Sequence, residues 1–161
     1  MDIFLNRPMS ISRSLSLVAL AAVFALTACS EAVDSHPAQL VTKRRALFKQ
    51  FTRALEPMGK VARDGKDYNP REFKASALAL EKLATQPWGY FTADSNYPPT
   101  HAKPAVWMQA TEFRQAQENY QAKVSQLVQA AEGGNLDIIR TAVTDVQYSC
   151  KTCHNQFRKD Y

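Results

Sequence analysis

The sequence has no apolar run long enough to cross a bilayer comfortably. Its longest, Leu15 to Leu26, is broken only by Ser16 and falls short of the about 20 residues that a spanning helix needs. Sustained strand-like alternation of apolar and polar residues is also missing, which argues against a β architecture. No block of like charge stands out. Basic and acidic residues are interspersed, and the formal net charge is a modest +5. Such a pattern fits solvated helix faces and argues against a nucleic-acid surface, while a weakly positive protein still favours an acidic redox partner or an anionic membrane surface. Only five glycines and three cysteines are present. An odd cysteine count in an exported chain requires an account of every thiol; each has its own use below, and none is left for a structural disulfide. What remains is 161 residues of ordinary apolar content, enough for one core and a targeting segment.

Arg7 and Arg13 give the N-terminus a positive start, and the apolar run after them has the length of a signal-peptide core. The run ends in Leu26-Thr27-Ala28-Cys29-Ser30, which resembles a bacterial lipobox. That resemblance implies cleavage before Cys29 and lipidation of Cys29. The alternative is an ordinary signal peptide with a cysteine at the cut. Acyl chains would hold the protein firmly, at about 0.8 kcal/mol per buried methylene. Ser30 replaces the aspartate associated with inner-membrane retention, so the expected location is the periplasmic side of the outer membrane. The expected organisation is a signal peptide over 1–28, a lipid-anchored tether over 29–36 and one folded domain over 37–161.

Four stretches of that domain carry a helical period between turn signals. The first runs from about Pro37 to Arg63, with Asp34 or Ser35 as its cap and Leu40, Leu47, Phe48, Phe51, Leu55, Met58 and Ala62 on one face. The second opens with Asn69-Pro70-Arg71-Glu72, a cap followed by a first-turn proline and an early acid, and Pro87 stops it. A long loop follows from about Trp88 to Lys103; loops of that length are often functional. The third helix is expected from about Pro104 to Ala131, stopped by Gly133-Gly134. The fourth starts at its cap Asn135 and continues nearly to Tyr161, with Ile139, Val143, Val146, Cys150, Cys153, His154 and Phe157 on one broad face. Long helices with mostly short connections predict an all-α fold, an antiparallel four-helix bundle.

Cys150-Lys151-Thr152-Cys153-His154 fits the pattern C-x-x-C-H. Residues three and four apart are neighbours on a helix, so the two thiols lie on one side, placed to form thioethers with the two vinyl groups of a haem. His154 follows Cys150 by four, within reach of the iron, and an imidazole is a good iron ligand. A redox dithiol does not need the adjacent histidine. A structural zinc site needs a fourth ligand, for which only His36, His101 and carboxylates remain, none at a paired spacing. The motif therefore predicts one covalent haem c.

Only seven residues follow His154. A helical bundle with the haem motif near its end resembles cytochrome c prime, of the class II cytochromes c. The similarity covers roughly Gln39 to Tyr161 and includes Arg44-x-x-x-Phe48, Pro87-Trp88 with Phe91, Lys103-Pro104-x-x-Trp107 with Phe113, and Cys150 to Arg158. It implies that Phe48 lies over the open, distal haem face, where low-spin relatives carry a methionine. Phenylalanine has no lone pair to donate, so a five-coordinate iron is expected, with His154 as the single protein axial ligand. Met58, nearly three turns further along, is not expected to substitute, and Met108, His36 and His101 match no ligand position of the family. The resemblance also places Arg44, and with it Arg45 and Lys103, near the haem propionates, and Arg158 beside the axial imidazole in the proximal pocket. The alternative for Phe48 is a core aromatic, and for Arg44 and Arg158 a solvated arginine.

A bulky apolar distal side offers no hydrogen bond to bound dioxygen and crowds incoming ligands. Nitric oxide binds ferrous haem strongly without such help, and carbon monoxide is expected to bind more weakly. The leading expectation is a protein that binds or scavenges nitric oxide without turnover. Electron transfer with a periplasmic redox partner is the rival. An enzyme ranks last, because no distal His-Arg pair occurs at a recognisable spacing. Family members often pair through their first two helices, so a homodimer is a further expectation; the lipid anchor is a departure from the family's usual soluble form.

Overall fold

The computed structural model describes residues 32–64 and 68–159. The expected signal peptide and Cys29 lie outside the described residues, as does Tyr161. The compact unit begins at Asp34. Five α-helices make it up: α1 Leu40–Asp64, α2 Pro70–Leu83, α3 Ala105–Met108, α4 Ala110–Gly133 and α5 Leu136–Phe157, with a short 3-10 turn at Trp88–Tyr90. The four long helices form the bundle. Each packs against two others, α1 on α2 and α5, and α4 on the same pair.

The helix ends follow local chemistry. The Asn69 side chain accepts from the Arg71 and Glu72 N–H groups, and the Asn135 side chain from those of Asp137 and Ile138, satisfying donors that have no partner inside the helix. Gly134 ends α4 at φ 69, a left-handed conformation that glycine adopts without the Cβ penalty. The first helix starts later than its sequence suggests. Pro37 opens a turn closed by the Gln39 N–H on the His36 carbonyl, and Gln39 turns to φ 47, so α1 begins at Leu40. Asp34 still caps it, accepting from the Thr42 N–H at 2.9 Å. Asp34 is buried and His36 stacks on Tyr97 with centroids 4.4 Å apart; residues 34–36, placed in the expected tether, pack on the bundle.

The expected third helix is two. Gln109 leaves helical geometry at φ −118, ψ 54, separating α3 from α4. α3 is set by tertiary bonds: the Trp107 Nε1–H donates to the Thr92 carbonyl at 2.8 Å, and the Lys103 N–H to the Phe157 carbonyl at 2.8 Å.

Inside the bundle Met58, Ala77, Leu80, Val124, Leu127, Ile139, Val143 and Val146 are almost fully buried. Burial of each large aliphatic side chain contributes about 1.5–3 kcal/mol. α1 and α5 come close at Gly59, where an added Cβ would sit 3.0 Å from Gln147 Nε2. Among the described residues no helix is long and apolar enough to cross a membrane.

Candidate haem-attachment site

The last two turns of α5 carry the motif to one end of the bundle. Cys150 and Cys153 are half-buried and not joined to each other. Cys150 packs against the main core, while Cys153 packs against a smaller cluster of Ala102, Val106, Phe113 and Phe157. Burial pushes both thiols up to about 11; bonds with the Cys150 backbone and Ser149 partly oppose this at Cys150, and the neighbouring Cys150 adds to it at Cys153. Both are therefore neutral thiols at physiological pH. His154 is exposed at the helix end. Desolvation by the surrounding chain, and then the Arg158 cation, lower its pKa, so the neutral imidazole, the form that ligates metals, is favoured.

An aromatic layer faces these groups. Phe48 of α1 is half-buried, with its ring 5.3 Å from Phe51, 5.8 Å from Trp88 and 6.3 Å from Phe91 between centroids, all edge-on. Phe91 meets Phe113 at 5.1 Å, and Phe113 meets Phe157 at the same distance. Trp88 is fixed by its Nε1–H to the Ala84 carbonyl at 2.7 Å. Tyr120 stacks on Phe51 at 5.4 Å, and its buried hydroxyl has no hydrogen-bond partner.

The donor set suits a haem: two neutral thiols one helical turn apart, an adjacent imidazole, and an apolar aromatic layer for a flat macrocycle. Among the described residues no three His, Cys, Asp or Glu side chains gather to hold a metal ion, so the zinc alternative lacks its ligands there.

The other predicted residues are distributed as follows. Arg44 is buried, 3% exposed. Its guanidinium donates to the Tyr90 carbonyl and Ser95 Oγ, both at 3.0 Å, to the Ser95 carbonyl at 3.2 Å, and to Thr100 Oγ1. The group also lies 4.4 Å from the Phe91 ring centroid. Arg45 is half-buried on the same helix. Lys103 Nζ donates to the Asn155 carbonyl at 2.8 Å, inside the haem-motif helix. Arg158 is the C-cap of α5, its N–H on the His154 carbonyl at 2.9 Å. Met58 is core, and Met108 is 81% exposed. His36 Nδ1 accepts from the Ala38 N–H, and the His101 carbonyl accepts from the Lys159 N–H. Ser95 and Thr100 are the site neighbours that sequence reasoning missed; two small hydroxyls in a loop carry no signal of a buried guanidinium.

Residues 39–158 match the family model described as Cytochrome C′. Cytochrome c′ of Alcaligenes xylosoxydans xylosoxydans is 31% identical over 123 residues, covering 76% of this chain and 95% of that protein. The Rubrivivax gelatinosus cytochrome c′ is also 31% identical, over 115 residues, covering 68% of this chain and 88% of its own. Among solved structures, a carbon monoxide-bound variant of cytochrome c prime from Alcaligenes xylosoxidans superposes with a TM-score of 0.73 at 30% identity, covering 80% of this chain and 100% of that one. The nitric oxide complex of another variant gives 0.74 at 29% identity, with the same coverage.

Proposed function

This chain belongs to the cytochrome c′ family, whose members carry a covalent haem c, and from that premise we propose that its haem iron keeps one face open to small gaseous ligands, nitric oxide foremost. The bound haem supplies an iron centre able to take such a ligand. Cys150 and Cys153 would hold the macrocycle as thioethers, each S–H adding across one vinyl group, and His154 would supply the imidazole for the iron. Phe48 would face the iron from the other side and offers it no lone pair to bind. Arg45 and Lys103 would border the propionates, and Arg158 would lie beside the imidazole of His154.

The observation that carries this reading is Phe48 in the aromatic layer facing the cysteine helix. The positions of Met58, buried in the core, and Met108, in solvent, support it. The apolar lining disfavours dioxygen, which depends on a distal hydrogen bond, and crowding at Phe48 weakens carbon monoxide relative to nitric oxide. The role is binding or scavenging without turnover. The nitric oxide and carbon monoxide complexes named for the Alcaligenes xylosoxidans variants support the same ligand class here. For the mature protein we propose a lipid anchor at Cys29 and a periplasmic-facing place on the outer membrane.

The test is the absorption spectrum of the purified protein, reduced at neutral pH and titrated with nitric oxide and then carbon monoxide. A high-spin ferrous spectrum that shifts with nitric oxide is expected. A six-coordinate ferrous protein with no change on adding nitric oxide would defeat the reading, and rapid exchange with a redox partner would promote electron transfer instead.

A further inference from the structure

Arg44 is a buried cation that, among the described residues, hydrogen-bonds no carboxylate. Its fork is spent on one segment, the loop after the 3-10 turn: the Tyr90 carbonyl, both oxygens of Ser95, and Thr100 Oγ1. These bonds leave one guanidinium N–H, at Nε, for any other acceptor. The acceptors are themselves tied into the loop. Ser95 Oγ donates to the Thr92 carbonyl at 2.7 Å, which also accepts from the Trp107 indole at 2.8 Å, and Thr100 Oγ1 accepts from the Ala102 N–H at 3.1 Å. Ser95 is fully buried. Burial lowers the Arg44 pKa, while Tyr97 and Asp34 oppose that shift. The loop is thus arranged around a charge brought into it from α1.

The loop carries Phe91. One face of that ring takes the Arg44 guanidinium at 4.4 Å, a cation–π contact, and the same ring reaches Phe48 at 6.3 Å and Phe113 at 5.1 Å. A continuous chain of contacts therefore runs from Arg44 through Phe91 to the side chain over the open iron face. We propose that Arg44 is a positioning residue for ligand entry: by fixing the 90–100 loop and Phe91 it sets how far Phe48 can yield to an incoming diatomic ligand. This rests on the open-iron reading above. It differs from a propionate contact, in which Arg44 acts on the haem carboxylates and the loop hydroxyls are incidental.

Carbon monoxide association with the reduced haem-loaded protein separates the two, with amide exchange over residues 90–100 read in parallel. S95A and T100V remove acceptors of Arg44 without touching its charge, and T100S keeps the hydroxyl. R44Q removes the fork itself. Positioning predicts that R44Q, S95A and T100V each raise the association rate, by about tenfold for R44Q, equivalent to ~1.4 kcal/mol of barrier. Exchange in the loop rises with it, and T100S stays at the wild-type rate. If R44Q does not retain a folded, haem-loaded chain, S95A and T100V decide alone. Wild-type rates in S95A and T100V would overturn the positioning role while leaving the open-iron reading intact. A wild-type protein that binds neither carbon monoxide nor nitric oxide would overturn the open-iron reading, and the entry role with it.

Discussion

Replacing Tyr120 by phenylalanine is expected to stabilise the protein. Tyr120 is 5% exposed, and its hydroxyl is buried without a partner. Burial, with a smaller contribution from Cys150, drives its pKa far above the usual tyrosine value. An unsatisfied buried donor costs about 1–3 kcal/mol. Phenylalanine keeps the ring that stacks on Phe51 at 5.4 Å and meets Trp88 edge-on at 6.4 Å. It loses only the contacts of one oxygen, at roughly 0.1–0.2 kcal/mol for each neighbouring atom. The balance is a gain of about 1–2 kcal/mol. For a domain of this size that corresponds to a rise in Tm of roughly 3–8 °C. The assay is denaturant and thermal unfolding of the haem-loaded wild type and Y120F, with an unchanged m-value as the check that the same transition is compared. Y120A is the contrast: it removes the ring and is expected to lose about 3–5 kcal/mol. A Y120F protein less stable than wild type by about 1 kcal/mol or more would refute the reasoning, because the hydroxyl would then have an acceptor or a buried water.

Three further outcomes are expected. F48M supplies a thioether where the aromatic ring stands; the reduced protein should shift to a low-spin, six-coordinate spectrum with carbon monoxide binding weakened by about tenfold or more, the cost of displacing a ligand worth ~1.4 kcal/mol, and an unchanged high-spin spectrum would remove Phe48 from the iron's open face. N135A deletes the cap of the haem-bearing helix and should cost about 0.5–2 kcal/mol in unfolding experiments, with fraying confined to the first turn of α5. Burial alone raises the Asp34 pKa, but bonds from the Thr42 and His36 N–H groups outweigh it and hold the carboxyl below the usual 3.8. A native pKa below the unfolded one contributes stability that is present above the unfolded value and lost as pH falls through the native one. Wild type should therefore be more stable than D34N at neutral pH, and the two acid-unfolding curves should converge below the ordinary aspartate range.

The candidate attachment motif was legible because its chemistry is local. Three residues within five positions define it, and a helix brings them to one side whatever surrounds them. The caps at Asn69 and Asn135 were legible for the same reason, since a side chain and the N–H groups two and three residues on settle the matter between themselves. The start of α1 was not. Pro37 suits a first helical turn, yet the Leu40 N–H is taken by the Tyr97 hydroxyl at 3.0 Å, a partner 57 residues away. The break at Gln109 has the same origin, in the hold that Thr92 and Phe157 exert on α3. Pro57, inside α1 on its exposed side, gives the opposite lesson: neighbours keep a helix going through a residue that disfavours it. For Arg44 the sequence carried a match in position, whereas burial among loop oxygens depends on the path of a segment about fifty residues on.

The pairing of the 101–103 segment with the end of α5 bears on how firmly that helix end is held. Ala102 bridges Arg158, Lys103 and Phe157 share a backbone bond, and the Lys103 ammonium reaches a carbonyl 52 residues away. Contacts between residues so distant in sequence carry a loop-closure entropy that helix turns do not, and such contacts are the slow ones in folding. The stretch holding both sulfurs is thus pinned at its far end by contacts of long sequence separation. That clasp resists unwinding of α5 from its C-terminal end, where Cys153 and His154 lie.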